Sequence, residues 1–187
     1  MKKLKFSKLG IHILSMFILV MLCSSCSIDD ITDEILGGGK VTATINGNKF
    51  ESVAETDWVE ITSVPGYYTI ILAAGDVQNL KKGKALAFAT IGEEYSTLKV
   101  GTTWNKVGTG SEINTAEAGY EENTSDDTNE IDTEFTEDIY VKITSIDKDK
   151  KIISGEFSFT VVDEDTGKKF KVTNGKFMEI TYKLTEL

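Results

Sequence analysis

The chain has few of the side chains on which nucleophilic and metal chemistry depend. It contains no arginine, one proline and one histidine, His12, and its two cysteines are Cys23 and Cys26. A mature chain cleaved before Cys26 and acylated there would have no imidazole, no guanidinium and no free thiol. That inventory excludes Ser-His-Asp and Cys-His catalysis, zinc sites built on His or Cys, and arginine clamps on phosphate. We therefore predict no catalytic residue, no cofactor-binding residue and no metal ligand, and we expect the protein not to be an enzyme.

The amino terminus is organised like a bacterial lipoprotein signal peptide. Four lysines in the first eight residues precede an apolar run over 9–23. A run of about 15 residues is too short for a membrane-spanning helix, which needs about 20, so we predict a cleaved signal peptide over 1–25. Residues 22–26, LCSSC, resemble a lipobox, and the resemblance implies that Cys26 is acylated. Several acyl chains would hold the protein durably on the bilayer. The alternative is an ordinary secretory signal with an incidental cysteine.

An acidic stretch that ends in three glycines follows the predicted cleavage point. Residues 26–39 hold four acids and no lysine. A flexible chain of this length spans on the order of 20 Å, so we predict a tether over 26–39. The acids next to the cysteine resemble the export signal that sends such lipoproteins to the outer membrane surface. The resemblance implies a lipid-anchored protein exposed at the cell surface, and the alternative is that the acids only solvate a spacer.

The clearest strand pattern in the chain lies between residues 152 and 184. Phe157, Phe159 and Val161 alternate with small polar residues, and this period of two places one apolar row on a single face. Turn-forming residues at 163–167, and then Asn174 with Gly175, separate two further alternating runs. We predict three antiparallel strands joined by two hairpin turns.

The same segment resembles a known family. SIDKDKKIISGEFSFT and TGKKFKVTNGKF are similar to the closing segment of a family of small Bacteroidetes surface lipoproteins of unknown function, and the likeness extends back to VTATINGNKF. The resemblance implies an all-β lipoprotein domain. The shared residues are glycines, turn residues and strand aromatics, so it implies no catalytic or ligand-binding residue.

Short alternating runs continue through the rest of the chain. They are separated by turn signals such as Asn-Gly at 46–47 and Pro-Gly at 65–66. About nine short strands without a convincing amphipathic helix predict an all-β fold, an antiparallel β-sandwich over 40–187, with a flattened β-barrel as the alternative. The strands expected before residue 152 lie at 41–45, 49–53, 58–62, 67–73, 85–91, 95–100 and 139–143.

Negative charge is concentrated in one internal segment. The whole chain has a net charge of −10, and residues 104–138 hold eleven acids against Lys106 alone. Because the segment is long, polar and poor in apolar residues, we predict a mobile acidic insertion that keeps the domain soluble. Docking of a basic partner is one alternative, and calcium binding is another, although the spacing does not match an EF-hand loop. The oxygen ligands for calcium would come from Glu121, Glu122, Asp126, Asp127, Glu130 and Asp132.

The residue inventory favours a non-enzymatic, surface-tethered binding or interaction module. Besides the lipid bilayer, reached through Cys26, the predicted partner is a glycan or an envelope protein, and the acidic charge argues against nucleic acid. Four aromatic residues could stack on sugar rings, although such residues more often pack in a core. They are Trp58, Trp104, Tyr67 and Tyr120.

Two other functions remain as alternatives. One is a structural role in assembling the envelope, without a small ligand. The other is glycoside hydrolysis by a carboxylate pair, either Asp57 with Glu60 or Glu93 with Glu94, which would need both acids in one cleft about 5–9 Å apart. Adjacent residues of a strand face opposite sides, and this counts against Glu93 with Glu94.

Overall fold

The described part of the chain is mostly β-strand. The computed structural model describes residues 39–53, 56–79, 82–108, 112–123, 131–133, 135–163 and 166–187. The predicted signal peptide, Cys26 and residues 26–38 of the predicted tether lie outside those residues. The strands are β1 (Lys40–Ile45), β2 (Asn48–Glu51), β3 (Trp58–Val64), β4 (Tyr67–Asn79), β5 (Lys82–Gly92), β6 (Thr103–Trp104), β7 (Thr115–Asn123), β8 (Ile131–Asp132), β9 (Phe135–Asp147), β10 (Ile152–Val162) and β11 (Lys169–Glu186).

One sheet contains all eleven strands of the described residues and closes almost completely into a barrel-like form. Neighbouring strands follow the order β6-β9-β10-β11-β3-β4-β5-β7-β8, and β1 pairs with both β11 and β2. The ladder between β11 and β3 is parallel, over Tyr182–Glu186 and Val59–Ser63, and the other ladders between these strands are antiparallel. The predicted all-β class is confirmed, and the nearly closed sheet fits a flattened barrel or a sandwich.

Side-chain hydroxyls close the sheet between β7 and β9. The Thr136 hydroxyl accepts a hydrogen bond from the Ala118 N–H and donates one to the Ala118 C=O, both at 2.9 Å. The Thr133 hydroxyl bonds the N–H and C=O of Tyr120 in the same way, at 2.8 and 3.0 Å. At the start of β7, Ala116 exchanges backbone hydrogen bonds with the chain that follows β6. These bonds satisfy backbone groups that would otherwise be unpaired at a strand edge.

Alternation along the strands fills the interior with aromatic and branched side chains. In β10, buried residues alternate with half-buried ones from Ile153 to Phe159. Phe88 of β5 packs against Phe157 and Phe177, with ring centroids 5.5 and 5.9 Å apart. Burying each such ring contributes about 1.5–3 kcal/mol to folding. Side chains from β5, β10 and β11 therefore meet in one core.

The predicted hairpin turn at Asn174 and Gly175 is wrong. β11 continues through Lys169–Glu186, and its register against β10 shifts between Val172 and Gly175. Asn174 has φ +53°, which a bulge tolerates as well as a turn does. A Cβ on Gly175 would lie 2.5 Å from ring atoms of Phe157. The glycine is therefore needed for the close approach of β10, and the chain does not reverse there.

The described part of the predicted acidic insertion, 104–138, is mostly sheet. It contains all of β7 and β8 and the start of β9, and Trp104 is 1% exposed. The acidic composition conceals an alternation, because Ala116, Ala118 and Tyr120 face the core, whereas Glu117 and Glu121 are half-buried on the other face of the strand. Residues 109–111, 124–130 and 134 of this segment lie outside the described residues.

Two smaller predictions also need correction. The strand expected at 95–100 is replaced by a single 3-10 turn, Tyr95–Thr97. Gly39, predicted as the last residue of the tether, is buried against Met178 and Ile180 of β11. The packed part of the chain therefore begins no later than Gly39.

Candidate functional site

The four aromatic residues predicted as sugar-stacking candidates divide between the core and the surface. Trp104 and Tyr120 are 1% and 2% exposed, and the Trp104 indole N–H donates to the Ile91 carbonyl at 3.0 Å. These two belong to the core. Tyr67 is 43% exposed and Trp58 is half-buried, and both belong to the hairpin formed by β3 and β4.

The outward-facing side chains of β3 and β4, which we call the hairpin face, carry an aromatic residue at each end. Val59, Ile61 and Ile70 are buried, so the residues that alternate with them point away from the core. Four pairs stand opposite each other across the ladder: Trp58 with Ala73, Glu60 with Ile71, Thr62 with Thr69, and Val64 with Tyr67. Two threonines therefore lie between the aromatic ends.

Charge is nearly absent from the hairpin face. Glu60 is the one charged residue among its eight side chains. On the β5 side the face continues into Ala87, Ala89 and Ile91, which pair with residues of β4. Elsewhere in the sheet, by contrast, Lys142, Glu156 and Lys176 stand side by side across β9, β10 and β11.

Hydrogen bonds fix polar groups at the Tyr67 end of the hairpin face. The turn before Tyr67 needs glycine at Gly66, where φ is +95°, and the Gly66 N–H donates to Glu94 Oε1 at 3.1 Å. The Asn114 side-chain amide donates to Glu93 Oε1 at 3.2 Å. Glu93 and Glu94 are thus brought to the same end of the hairpin, each with its own hydrogen-bond donor.

The structure does not assemble Asp57 and Glu60 into a pair. Asp57 is 3% exposed, whereas Glu60 lies on the hairpin face and accepts a hydrogen bond from the Thr185 hydroxyl at 2.9 Å. Residues three apart along extended chain point to opposite sides. The two carboxylates therefore do not face one another.

The Asp57 carboxyl lies in a buried polar contact between β1 and the chain entering β3. Its Oδ2 accepts a 2.7 Å hydrogen bond from the Ser52 hydroxyl, which in turn accepts one from the Val41 N–H at 3.0 Å. Its Oδ1 has no hydrogen-bond partner among the described residues. Burial raises the pKa of Asp57 to about 6, against the opposing effect of these hydrogen bonds.

The predicted calcium ligands are only partly described. Asp126, Asp127 and Glu130 lie outside the described residues. Glu122 accepts a 2.8 Å hydrogen bond from the Tyr120 hydroxyl. Within the described ranges, no group of three or more His, Cys, Asp or Glu residues is arranged to hold a metal ion.

Sequence reasoning named Glu60, Glu93 and Glu94 as candidate acids. It did not single out Thr62, Thr69 or Asn114 near the aromatic residues. Thr62 and Thr69 could have been recognised, because the alternation of each strand gives their outward direction. Asn114 had no such signal, since it reaches Glu93 from a turn 21 residues further along the chain.

The comparisons with known proteins give one result. A family model for a domain of unknown function, DUF6252, matches residues 77–181, which is more than half of the chain. The chain belongs to this family. The DUF6252 match begins inside β4 and ends inside β11, so the whole hairpin face precedes it. No curated protein and no solved structure matches the chain. No helix formed by the described residues has the length and apolar character needed to cross a membrane.

Proposed function

We propose that this DUF6252 chain is a lipid-tethered, non-enzymatic binding module on the outer surface of a bacterial outer membrane, and that its ligand is a carbohydrate. The tether is supported by the apolar leader, by the LCSSC motif ending at Cys26 and by the resemblance to Bacteroidetes surface lipoproteins. A module held on the outside of the cell meets polysaccharides before any cytoplasmic substrate.

The observation that carries this proposal is the placement of Trp58 and Tyr67 on one outward-facing hairpin. An aromatic ring offers an apolar surface to the C–H face of a sugar, and its polar edge suits a partly wet site. The threonines between the two rings and the carboxylates of Glu60 and Glu93 supply hydrogen-bonding groups beside them. This mixture is typical of sites that bind a polar ligand by both stacking and hydrogen bonding.

A non-enzymatic role is supported by the residue inventory. The chain has no arginine, and its histidine and both cysteines precede residue 27. Asp57, a buried acid whose pKa is raised, points away from the hairpin face that carries Glu60. The acids near the aromatic residues are therefore assigned to hydrogen bonding with the ligand.

A carbohydrate array tests the proposal. The full-length protein in detergent should bind a subset of the immobilised glycans, and a Trp58→Ala, Tyr67→Ala double variant should lose that binding. Phe135→Ala is the matched control, because Phe135 is 53% exposed but lies on β9. The absence of glycan binding by the unmodified protein, or equal loss in the control, would refute the proposal.

A further inference from the structure

The hairpin geometry allows the ligand to be described more closely. We infer, on the basis of the proposed function, that the ligand is an extended, uncharged polysaccharide. It lies along β3 and β4 and contacts Trp58 and Tyr67 at once. The inference depends on the spacing of the two aromatic residues, the charge between them and the kind of side chain that lines the path.

The spacing calls for a chain of several sugars. Trp58 stands opposite Ala73, and Tyr67 stands opposite Val64, so the two aromatic positions are six residues apart along either strand. At about 3.3 Å per residue this separates them by roughly 20 Å along the hairpin. A single sugar is much shorter than that, so one ring alone cannot contact both aromatic side chains.

The charge between the aromatic ends selects against an ionic ligand. Between them the hairpin face carries Thr62, Thr69 and Ile71, with Glu60 at its edge. On the neighbouring strand β11, Lys183 pairs with Glu60, so the two opposite charges lie side by side. A polyanion would meet Glu60 and Glu93 without a cluster of lysines to balance them. A polycation would lack a continuous acidic track along the hairpin.

The side chains of the hairpin face suit a sugar chain better than a second copy of this protein or an apolar protein segment. The large aliphatic residues of the hairpin face are Val64 and Ile71, and both are already half-buried. Obligate protein interfaces need a wide, apolar centre, which two half-buried aliphatic side chains do not provide. Hydroxyls between two aromatic residues can instead bond the hydroxyls of a sugar chain that the aromatics hold at both ends.

A length series tests the inference. The probes are uncharged gluco-, manno- and galacto-configured oligosaccharides of one to eight units, titrated into the full-length protein in detergent by calorimetry. Affinity should rise steeply at the length that spans both aromatics and then level off. Trp58→Ala and Tyr67→Ala should each lower the affinity for the longest chain about tenfold, whereas Trp58→Phe should keep most of it.

The possible results separate this inference from the function on which it rests. If a monosaccharide binds as tightly as the longest chain, if only one of the two alanine variants matters, or if polygalacturonate binds better than neutral chains, the extended-ligand inference is wrong while carbohydrate binding stands. If no oligosaccharide of any length binds, both fail. Phe135→Ala should leave every titration unchanged, and circular dichroism of each variant checks that it is folded.

Discussion

At the scale of single residues, burial clearly alters the acidity of the Asp57 carboxyl. Its pKa rises from the usual 3.8 to about 6 because the folded chain buries it next to one hydroxyl donor, Ser52. The folded state therefore holds the proton more tightly than the unfolded state between about pH 4 and pH 6. Raising the pH through this range ionises a buried group, so this residue contributes least to stability above pH 6.

Asp57→Asn should remove that pH dependence. The amide keeps the shape and an acceptor for the Ser52 hydroxyl but cannot ionise, so the variant should be more stable than the native protein at pH 7.5 by on the order of 2 kcal/mol. The two proteins should be similarly stable near pH 4. Urea unfolding at several pH values measures the difference, and Asp149→Asn, at an exposed aspartate, is the control. A difference between the two proteins that grows as the pH falls would contradict this account.

At the scale of elements, the edges of β7 and β9 meet in a seam that is joined by side-chain hydrogen bonds. Other neighbouring strands are joined by backbone hydrogen bonds. The Thr136 hydroxyl hydrogen-bonds both the N–H and the C=O of Ala118 in β7. The Thr133 hydroxyl does the same with Tyr120. A side-chain hydroxyl both donates and accepts, so one threonine replaces a pair of ladder hydrogen bonds. These two hydroxyls act together with backbone hydrogen bonds of Ala116 and with one from the Thr133 N–H to the Tyr120 C=O.

Thr136→Val should destabilise the domain sharply. Valine has nearly the shape of threonine but no hydroxyl, so the N–H and C=O of Ala118 lose their partner, at a cost of about 2 to 4 kcal/mol in the free energy of unfolding. Thr144→Val, at an exposed position of the same strand, is the matched control and should change stability little. Hydrogen exchange of the Ala118 amide should speed up in the first variant alone. Equal stability of the two variants would show that the seam hydroxyl does not matter.

At the scale of the whole molecule, the proposed function requires the barrel-like domain to be held outside the cell. The leader, the cysteine and the acidic stretch are contiguous in sequence, and the packed chain begins no later than Gly39. The predicted tether before it, residues 26–38, would span on the order of 20 Å if it is flexible. In the proposed function, a tether of this length keeps the domain near the membrane.

Cys26→Ala should abolish membrane anchoring. Without the thiol no acyl chain is attached, so the leader should remain uncleaved, and mass spectrometry should find the unprocessed amino terminus. Cys23→Ala is the matched control, because it removes the same side chain three residues earlier and should leave processing intact. Normal processing and membrane sedimentation of the Cys26 variant would refute the tether.

Local sequence pattern and residue inventory were enough to predict the class of the fold and to limit its chemistry. Alternation in β10 and in β3 fixed which residues share a face, and the lack of arginine and the early position of His12 limited the chemistry whatever fold the chain adopts. These are local properties, because a period of two and a residue inventory depend only on neighbours along the chain.

Only the tertiary structure decided which faces are buried and where the chain turns. Trp104 and Trp58 both lie in strands, yet one packs in the core and the other faces outwards, because the partners across the barrel determine the burial of each face. Asn174 and Gly175 have the residue types of a hairpin turn, but Phe157 packs against Gly175 and the strand continues. Positive φ suits a turn and a bulge equally, so only contacts distant in sequence could choose between them.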